Sequence, residues 1–355
     1  MRAALPSDDL DMAVSLTSQF LSRFHGARLV MTGGSGFIGA WLLQVLQRAN
    51  DTVGSQIDLV VLSRDPERVL RNEPHVFGRS DITLIAGDVN SFSRSIGKFD
   101  LCIHAAADVG DPHRAAQPLK VFDTLVQGTR RMLDLAQAAG ASRFLLTSSG
   151  AVYGPQPTSL NRIPESYQGA TALLKTEAAY GNGKRAAEWL TCAYAQQAGH
   201  VGLETCIARI FALIGPGLPL DGPFAAGNFI RDALAGNGIN IHGDGRPLRS
   251  YLYMSDLCVW LLRILGEGAS MQAYNVGSES AVSIAELAGK VQDATGVQVP
   301  IHIHAPASPD DANTQAPRYV PDTRRARHEL GLAEYTSLDS ALQKTIQWSR
   351  STNRP

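Results

Sequence analysis

Cysteine is scarce: the 355-residue chain has 4, at Cys102, Cys192, Cys206 and Cys258. They are scattered, with no CxxC spacing and no Cys/His cluster, so neither a disulfide framework nor a metal site is expected. Cys102 and Cys206 fall in apolar strand-like runs, "DLCIHAA" and "LETCIAR", the setting of reduced core thiols in a cytoplasmic protein. No apolar run approaches the ~20 residues of a membrane span. The stretch "SDDLDMAVSLTSQFLSRFHG" begins acidic and lacks a long apolar centre, so it does not read as a signal peptide. Charge of one sign is not in excess either. Lys+Arg number 32 and Asp+Glu 33, a formal net charge of -1, which gives no basic footprint for nucleic acid.

What is present is core material, with 44% of residues hydrophobic and 18% charged. At ~100–200 residues per domain this allows one large or two closely joined domains. Residues 1–27 read as an added amphipathic helix. Ser7 or Asp8 is placed to cap it, and Leu10, Val14, Leu16, Phe20, Leu21 and Phe24 lie on its apolar side. Residues 28–210 alternate apolar runs ("RLVMT", "IDLVVLS", "ITLIA", "DLCIHAA", "RFLLTSS", "LETCIARI") with segments of helical period. That alternation predicts an α/β fold, a doubly wound parallel sheet covered on both faces. From 211 to 350 glycine and proline become frequent, and a smaller substrate lobe is expected, with one strand or helix possibly returning to the sheet. "SIAELAGKVQDATG" and "SLDSALQKTIQWSR" read there as helices opened by serine caps.

"RLVMTGGSGFIGAWLL" is a strand, a glycine-rich turn and a helix start. Gly34, Gly36 and Gly39 fit GxGxxG, and Gly33, Gly36 and Gly39 fit GxxGxxG. Glycines here permit a tight turn, backbone approach to a pyrophosphate and close helix–strand packing. The following helix turns its free N–H groups toward phosphate. Ser35, Phe37 and Ile38 complete the stretch, and dinucleotide binding is expected. The cofactor is NAD(P). An acidic residue at the end of the second strand would favour NAD. Here Ser63 holds that position and Arg64 follows, a hydroxyl and a guanidinium suited to a 2′-phosphate, which tilts the expectation toward NADP. In the alternative, Arg64 is a surface arginine and Asp65 reaches the ribose. "GDVNS" puts Asp88 and Val89 where the adenine should lie.

In "YGNGK", Tyr180 precedes Lys184 by one helical turn, so the two share a face. A free tyrosine with a pKa near ~10 is a poor base at neutral pH. A neighbouring ammonium and a cationic nicotinamide would favour its phenolate. The chain resembles the extended short-chain dehydrogenase/reductases, in particular the nucleotide-sugar epimerases and dehydratases. The resemblance runs from about residue 28 to 350 through "TGGSGFIG", "GDV", "HAAA", "QGTRRMLDLA", "LLTSSGAVYG", "YGNGK", "ARIFALIGPG", "GDGRPLRSYLYMSDL", "YNVGS" and "YVPDTRRARHELGL".

This resemblance implies a Rossmann-like fold, with Ala105 and Ala106 of "HAAA" beside the cofactor. Tyr180 would be the acid/base, Lys184 its partner and Ser149 the hydroxyl at the reacting oxygen, with Ser148 the competitor for that role. Asn228, Arg249 and Arg318 would hold the diphosphate of a nucleotide sugar. His104 and Asp108 are candidate pocket residues, although a strand-end histidine can simply fill space. Tyr153 is read as a packing or substrate-facing ring. The resemblance also implies a homodimer through the helices at 117–138 and 180–198.

Two departures stand out. The 4,6-dehydratases of this family carry an Asp-Glu pair where this chain has Gly150 and Ala151, which disfavours dehydration. Leu125 replaces an asparagine that the family usually has under the site. The segment from 158 to 179 looks like a substrate-side excursion. The implied reaction is hydride exchange at C4 of an NDP-hexose, as a 4-epimerase or an NADP-dependent 4-ketoreductase. An extended reductase of a non-nucleotide carbonyl and a non-catalytic dinucleotide sensor are the other classes. The first lacks the "GDG…R" and "GNF" elements, and the second tends to lose the Ser/Tyr/Lys set.

Overall fold

The computed structural model describes residues 3–92, 95–107, 116–198, 202–305 and 315–352. Two short helices, α1 (Ser7–Leu16) and α2 (Ser18–Arg23), precede β1 (Arg28–Thr32). Then follow α3 (Phe37–Val53), β2 (Asp58–Ser63), α4 (Pro66–Asn72), α5 (Pro74–Phe77), β3 (Ile82–Ala86), β4 (Leu101–His104), α6 (Pro118–Ala139), β5 (Arg143–Ser149), α7 (Ala179–Ala198) and β6 (Glu204–Ile210). The remainder contributes β7 (Leu213–Ile214), α8 (Ala225–Leu234), β8 (Ile239–Ile241), β9 (Leu248–Arg249), β10 (Leu252–Tyr253) and α9 (Met254–Glu267). It ends with β11 (Gln272–Val276), β12 (Val282–Ser283), α10 (Ile284–Thr295), β13 (Ile301–Ile303), β14 (Arg318–Tyr319), α11 (Arg324–Leu330) and α12 (Leu338–Thr352).

Seven strands form one parallel sheet in the order β11-β6-β5-β4-β1-β2-β3. Successive residues of a strand face opposite sides, so each strand feeds two cores. Leu29, Met31, Leu59, Val61 and Ile103 pack on one side with α3 and α9. Val30, Val60, Cys102 and Phe144 pack on the other with Met132 and Leu133 of α6. The fold is Rossmann-like. After the first six strands the chain lays down β7 to β10, returns β11 to the edge of the large sheet beside β6, and then adds β12, β13 and β14, which complete the three small sheets. Cys102, Cys206 and Cys258 are buried free thiols, and burial raises all three above the ordinary thiol range.

Ser283 caps α10 in a reciprocal box with Glu286, and the Ser337 hydroxyl accepts from Ser340 N–H at the head of α12. The N-terminal segment departs from the single helix expected. Thr17 sits at φ -111° and its hydroxyl turns back to the Ala13 carbonyl at 2.6 Å, which splits the segment into α1 and α2. Ser7 and Asp8 lie inside the first turn of α1, which starts after Pro6 without a side-chain cap. Asp8 and Asp9 there complement the helix dipole instead.

Helix α1 is fastened by polar contacts as well as by Leu10, Ala13 and Val14. Asp9, 1% exposed, accepts from the Tyr253 hydroxyl at 2.6 Å and pairs with Lys344. Trp348 Nε1 donates to the Ala4 carbonyl at 3.0 Å. Asp9→Ala strands a buried phenol hydroxyl and deletes an ion pair. The expected loss is about 2–3 kcal/mol, checked by urea unfolding of the full chain.

Candidate functional site

The carboxyl ends of β1, β2, β4 and β5 converge on one edge of the large sheet, where the first site is built. At the end of β1 the chain turns at Gly33, whose φ of 73° suits glycine. A Cβ there would lie 2.5 Å from the Ala105 carbonyl oxygen, and one on Gly39 would lie 2.3 Å from the Gly33 oxygen. These contacts let α3 sit against the strand with its first amides turned to the turn. Gly36 is the helix cap, so the N–H groups of Phe37, Ile38 and Gly39 have no acceptor within the helix. Gly34 faces inward, against Val61 and Leu43. The side chain of Phe37 packs near Gly217.

A cleft opens over this turn. Gly33, Ser35, Gly36, Ser63, Arg64, Asp88, Val89, Ala105 and Ala106 all line it. Gly34, Phe37, Ile38, Gly39, Tyr180 and Lys184 do not line it, although Phe37, Ile38 and Gly39 contribute the helix amides. The turn geometry, the free helix start and the small residues around the cleft fit a dinucleotide pyrophosphate. At the end of β2, Asp65 is held as the cap of α4, accepting from Arg68 N–H at 2.9 Å. The Ser63 hydroxyl accepts from Asp65 N–H at 3.3 Å. Asp88 accepts from Asn90 N–H at 2.8 Å.

The wall carrying Ala105 and Ala106 is braced by a pair that sequence reasoning missed. His104 Nδ1 lies 2.7 Å from Thr32 Oγ1, which also accepts from Ala106 N–H at 3.2 Å. Burial, with a smaller push from Lys184, lowers His104 to about 3, so the ring is neutral and fills space. Asp108 lies outside the described residues.

Beside this cleft, Ser149 ends β5 and Tyr180 and Lys184 lie on the first turns of α7. Lys184 is 3% exposed, its Nζ donates to the Thr147 carbonyl at 2.5 Å, and it stands 5.9 Å from the centroid of the Tyr180 ring. Burial pulls its ammonium down to about 8, opposed in part by Glu188. Strand alternation separates the two serines. Ser148 points inward and donates to Glu188 Oε1 at 2.5 Å, whereas Ser149 is half-buried and accepts from Ala151 N–H at 3.2 Å. Tyr153 is a packing residue, 1% exposed, accepting from Arg209 and donating to Asn275 Oδ1, both at 2.8 Å. Leu125 fills the α6–α7 contact, where a Cβ on Gly183 would lie 2.9 Å from it.

A second cavity of about 440 Å³ is lined by Gly154, Pro155, Gln156, Arg249, Pro317, Arg318 and Tyr319. Parallel pairing of β14 with β9 sets Tyr319 opposite Arg249, whose guanidinium lies over the Tyr319 ring, and Arg318 opposite Leu248; both arginines line the cavity. The Arg318 Nε is buried without a hydrogen-bond partner. Asn228 is not among the lining residues. It sits half-buried on α8, with Arg231 Nη1 3.4 Å from its Oδ1. The excursion stitches the lobe to the sheet: Ile163 bridges to Pro321, Glu165 accepts from Asn275 N–H at 2.8 Å, and Gln156 reaches the cavity. Tyr319 was missed. Its only signal was an aromatic next to a candidate arginine. Among the described residues no group of three or more His, Cys, Asp or Glu could hold a metal ion, and no helix is long and apolar enough to cross a membrane.

Comparison with known proteins agrees with this architecture. The model of the NAD dependent epimerase/dehydratase family matches residues 29–277. UDP-glucuronic acid decarboxylase 2 of Arabidopsis thaliana is 33% identical over 322 residues, 91% of this chain and 68% of that protein. UDP-glucuronic acid decarboxylase 1 of Xenopus tropicalis is 31% identical over 332 residues, 94% of this chain and 74% of its own. Among solved structures, MoeE5 in complex with UDP-glucose and NAD is 26% identical with a TM-score of 0.74, covering 92% of this chain and 100% of its own. The UDP-glucose 4-epimerase of Thermotoga maritima, 20% identical, shares the fold with a TM-score of 0.76 over 92% of this chain and 100% of its own. With a family model spanning most of the chain and relatives matched over nine-tenths of it, the protein belongs to the NAD-dependent epimerase/dehydratase family of extended short-chain dehydrogenase/reductases.

Proposed function

We propose that this enzyme oxidises the C4 hydroxyl of a nucleotide-diphosphate hexose and then reduces the resulting ketone from its other face, a 4-epimerisation. The observation that supports this is the buried Lys184 ammonium under the Tyr180 ring, bonded to the Thr147 carbonyl near the end of β5, in a molecule that also carries the glycine-turn cleft and the arginine-lined cavity. An oxidised nicotinamide bound in the cleft would take the C4 hydride and then return it to the other face. Lys184 favours the Tyr180 phenolate, which takes the proton from the C4 hydroxyl and later returns it to the alkoxide. Ser149 holds the same oxygen. Arg249 and Arg318 offer planar donor sets to the diphosphate.

A second outcome has its own support. The relatives named above are UDP-glucuronic acid decarboxylases, and MoeE5 has also been solved with UDP-glucuronic acid and NAD, 25% identical with a TM-score of 0.72. Oxidation at C4 of a uronate leaves its carboxylate β to a ketone, and such an acid loses CO₂ readily. A homodimer through α6 and α7 is also proposed, since Leu119 and Trp189 leave large apolar surfaces exposed on those helices.

Product analysis by NMR and mass spectrometry, over a panel of UDP- and dTDP-hexoses, hexuronates and 4-keto sugars, tests the assignment. A C4 epimer is expected. A pentose product would select decarboxylation, a net-reduced alcohol would select the ketoreductase, and no turnover at all would remove the nucleotide-sugar reading. With the active substrate, Tyr180→Phe is expected to lower kcat at least about a hundredfold, with the dissociation constant of the cofactor unchanged. Turnover is expected to fall as pH rises through about 8, where Lys184 loses the charge that favours the phenolate. A profile flat from pH 7 to about 9.5 would count against that role.

For the cofactor, Ser63, Arg64, Asp65 and Arg68 line the cleft, one oxygen of Asp65 caps α4, and with two guanidiniums there we take NADP as the preferred form. Arg64→Ala is then expected to weaken NADP⁺ binding by about tenfold and leave NAD⁺ within twofold, measured by calorimetric titration.

A further inference from the structure

Gln156 lines the second cavity together with Arg249 and Arg318, and it is 9% exposed. Its Oε1 accepts from Val320 N–H at 3.0 Å, and its Nε2 donates to the Leu160 carbonyl at 2.7 Å. A backbone N–H can only donate and a carbonyl can only accept, so these partners leave one orientation for the amide. One side chain thus ties the start of the excursion to the residue that follows β14.

Backbone bonds continue the same contact. Ile163 N–H donates to the Val320 carbonyl and Asp322 N–H to the Ile163 carbonyl, both at 2.9 Å. On its other edge the stretch pairs with β9, where Leu248 N–H donates to the Pro317 carbonyl at 2.8 Å. Residues 317–322 are therefore gripped from both sides, with Arg318 and Tyr319 inside the grip. Arg318 depends on that support. Its Nε is buried with no acceptor among the described residues, so at that atom the guanidinium is placed by its backbone and packing.

We propose that Gln156 is a positioning residue for the cavity wall. By pinning Val320 to the start of the excursion, it holds Arg318 where a diphosphate can take the guanidinium. This rests on the reading of Arg249 and Arg318 as the diphosphate ligands. Gln156 then acts on substrate binding, through Arg318. It does not act on hydride or proton transfer, whose proposed residues lie on β5 and α7.

The test uses the full chain with UDP or dTDP, whichever the wild-type enzyme binds. Gln156→Leu keeps the volume and removes both hydrogen bonds. It is expected to raise the calorimetric Kd for that nucleotide and the KM for the nucleotide sugar about tenfold each, with kcat within about threefold and the cofactor Kd within about twofold. In an Arg318→Ala background the same change should weaken nucleotide binding by less than about twofold, because the group it positions is gone. Wild-type affinity in Gln156→Leu, or losses that multiply with Arg318→Ala, would overturn the proposal. So would a loss of kcat or of cofactor affinity as large as the rise in KM, since Gln156 would then support the whole site rather than this wall. If the wild-type enzyme binds neither nucleotide, the nucleotide-sugar reading itself has failed and the role of Gln156 falls with it. Should Gln156→Leu not fold, Gln156→Asn takes its place: its amide is one carbon too short to span both partners, and the same comparisons apply.

A second measurement needs no ligand. Amide hydrogen exchange at Val320 is expected to speed up at least about tenfold in the variant, while Leu248, bonded to Pro317 on the other edge, stays within about twofold. Equal protection of Val320 in both proteins would mean that the glutamine does not hold this strand, and the proposal would fall with its geometry.

Discussion

The ion pair between Arg209 and Glu188 fixes the geometry on which the rest of the site depends. Arg209 Nη2 and Glu188 Oε2 are 2.7 Å apart where β6 meets α7, largely out of solvent. An ion pair in that setting is tolerable only if its remaining donors and acceptors are filled, and leaving one partner alone costs about 3–5 kcal/mol. Here they are filled. Arg209 Nε donates to both Glu188 oxygens and Nη1 donates to the Tyr153 hydroxyl, while Ser148 donates to Glu188 and Tyr153 passes its own proton to Asn275. The network locks α7 in register with β5, β6 and β11. Glu188 is one turn beyond Lys184. With Glu188 fixed, Lys184 must project at the Thr147 carbonyl and Tyr180 must face the end of β5.

The same network explains what could be read in advance around positions 148 and 149. "TSS" offers two equivalent hydroxyls, and only the strand's period of two distinguishes them. The inward one is consumed by Glu188, and the other, half-buried at the strand's end, accepts from Ala151 N–H. Features legible from residues alone were those set by neighbours in the chain. The glycine turn before α3, the Ser283 capping box and the strand runs fall in this group. Asp65, just before a proline, carries a helix-cap signal that the chain neighbours alone reveal, and it caps α4 through one oxygen while also lining the cleft. The split of the N-terminal helix at Thr17 was hidden, because a threonine hydroxyl that turns back to the carbonyl four residues earlier is as compatible with a continuous helix as with a break.

Residues of the second cavity were harder to read for the same reason. Arg249 and Arg318 line one cavity only because β9 and β14, two-residue strands some seventy positions apart, pair with each other. Asn228 belongs to a helix of strong apolar bias, and its side chain turns to Arg231 rather than to the cavity wall. Tyr319 carried no spacing signal at all. Its neighbours Phe211 and Gly150 follow two different strands, β6 and β5, that the sheet sets side by side.

The space over Gly150 also limits the chemistry beyond C4. Loss of water across C5 and C6 of a 4-keto-hexose needs one group to take the C5 proton and another to protonate the departing oxygen at C6. Gly150 and Ala151 supply neither, and Glu165 is committed to Asn275 N–H. Loss of CO₂ from a 4-keto-uronate needs no such pair. The electron pair released from the carboxylate moves toward the C4 carbonyl oxygen, the atom that Ser149 and Tyr180 are proposed to hold. Under the proposed function, the same few side chains serve oxidation and reduction at C4 and accompany decarboxylation once the enolate it leaves takes a proton at C5, whereas Gly150 and Ala151 bring no acid/base pair for dehydration. On this view, the substituent that the sugar carries on C5 decides between the two outcomes, and no additional side chain at positions 150 and 151 is called upon.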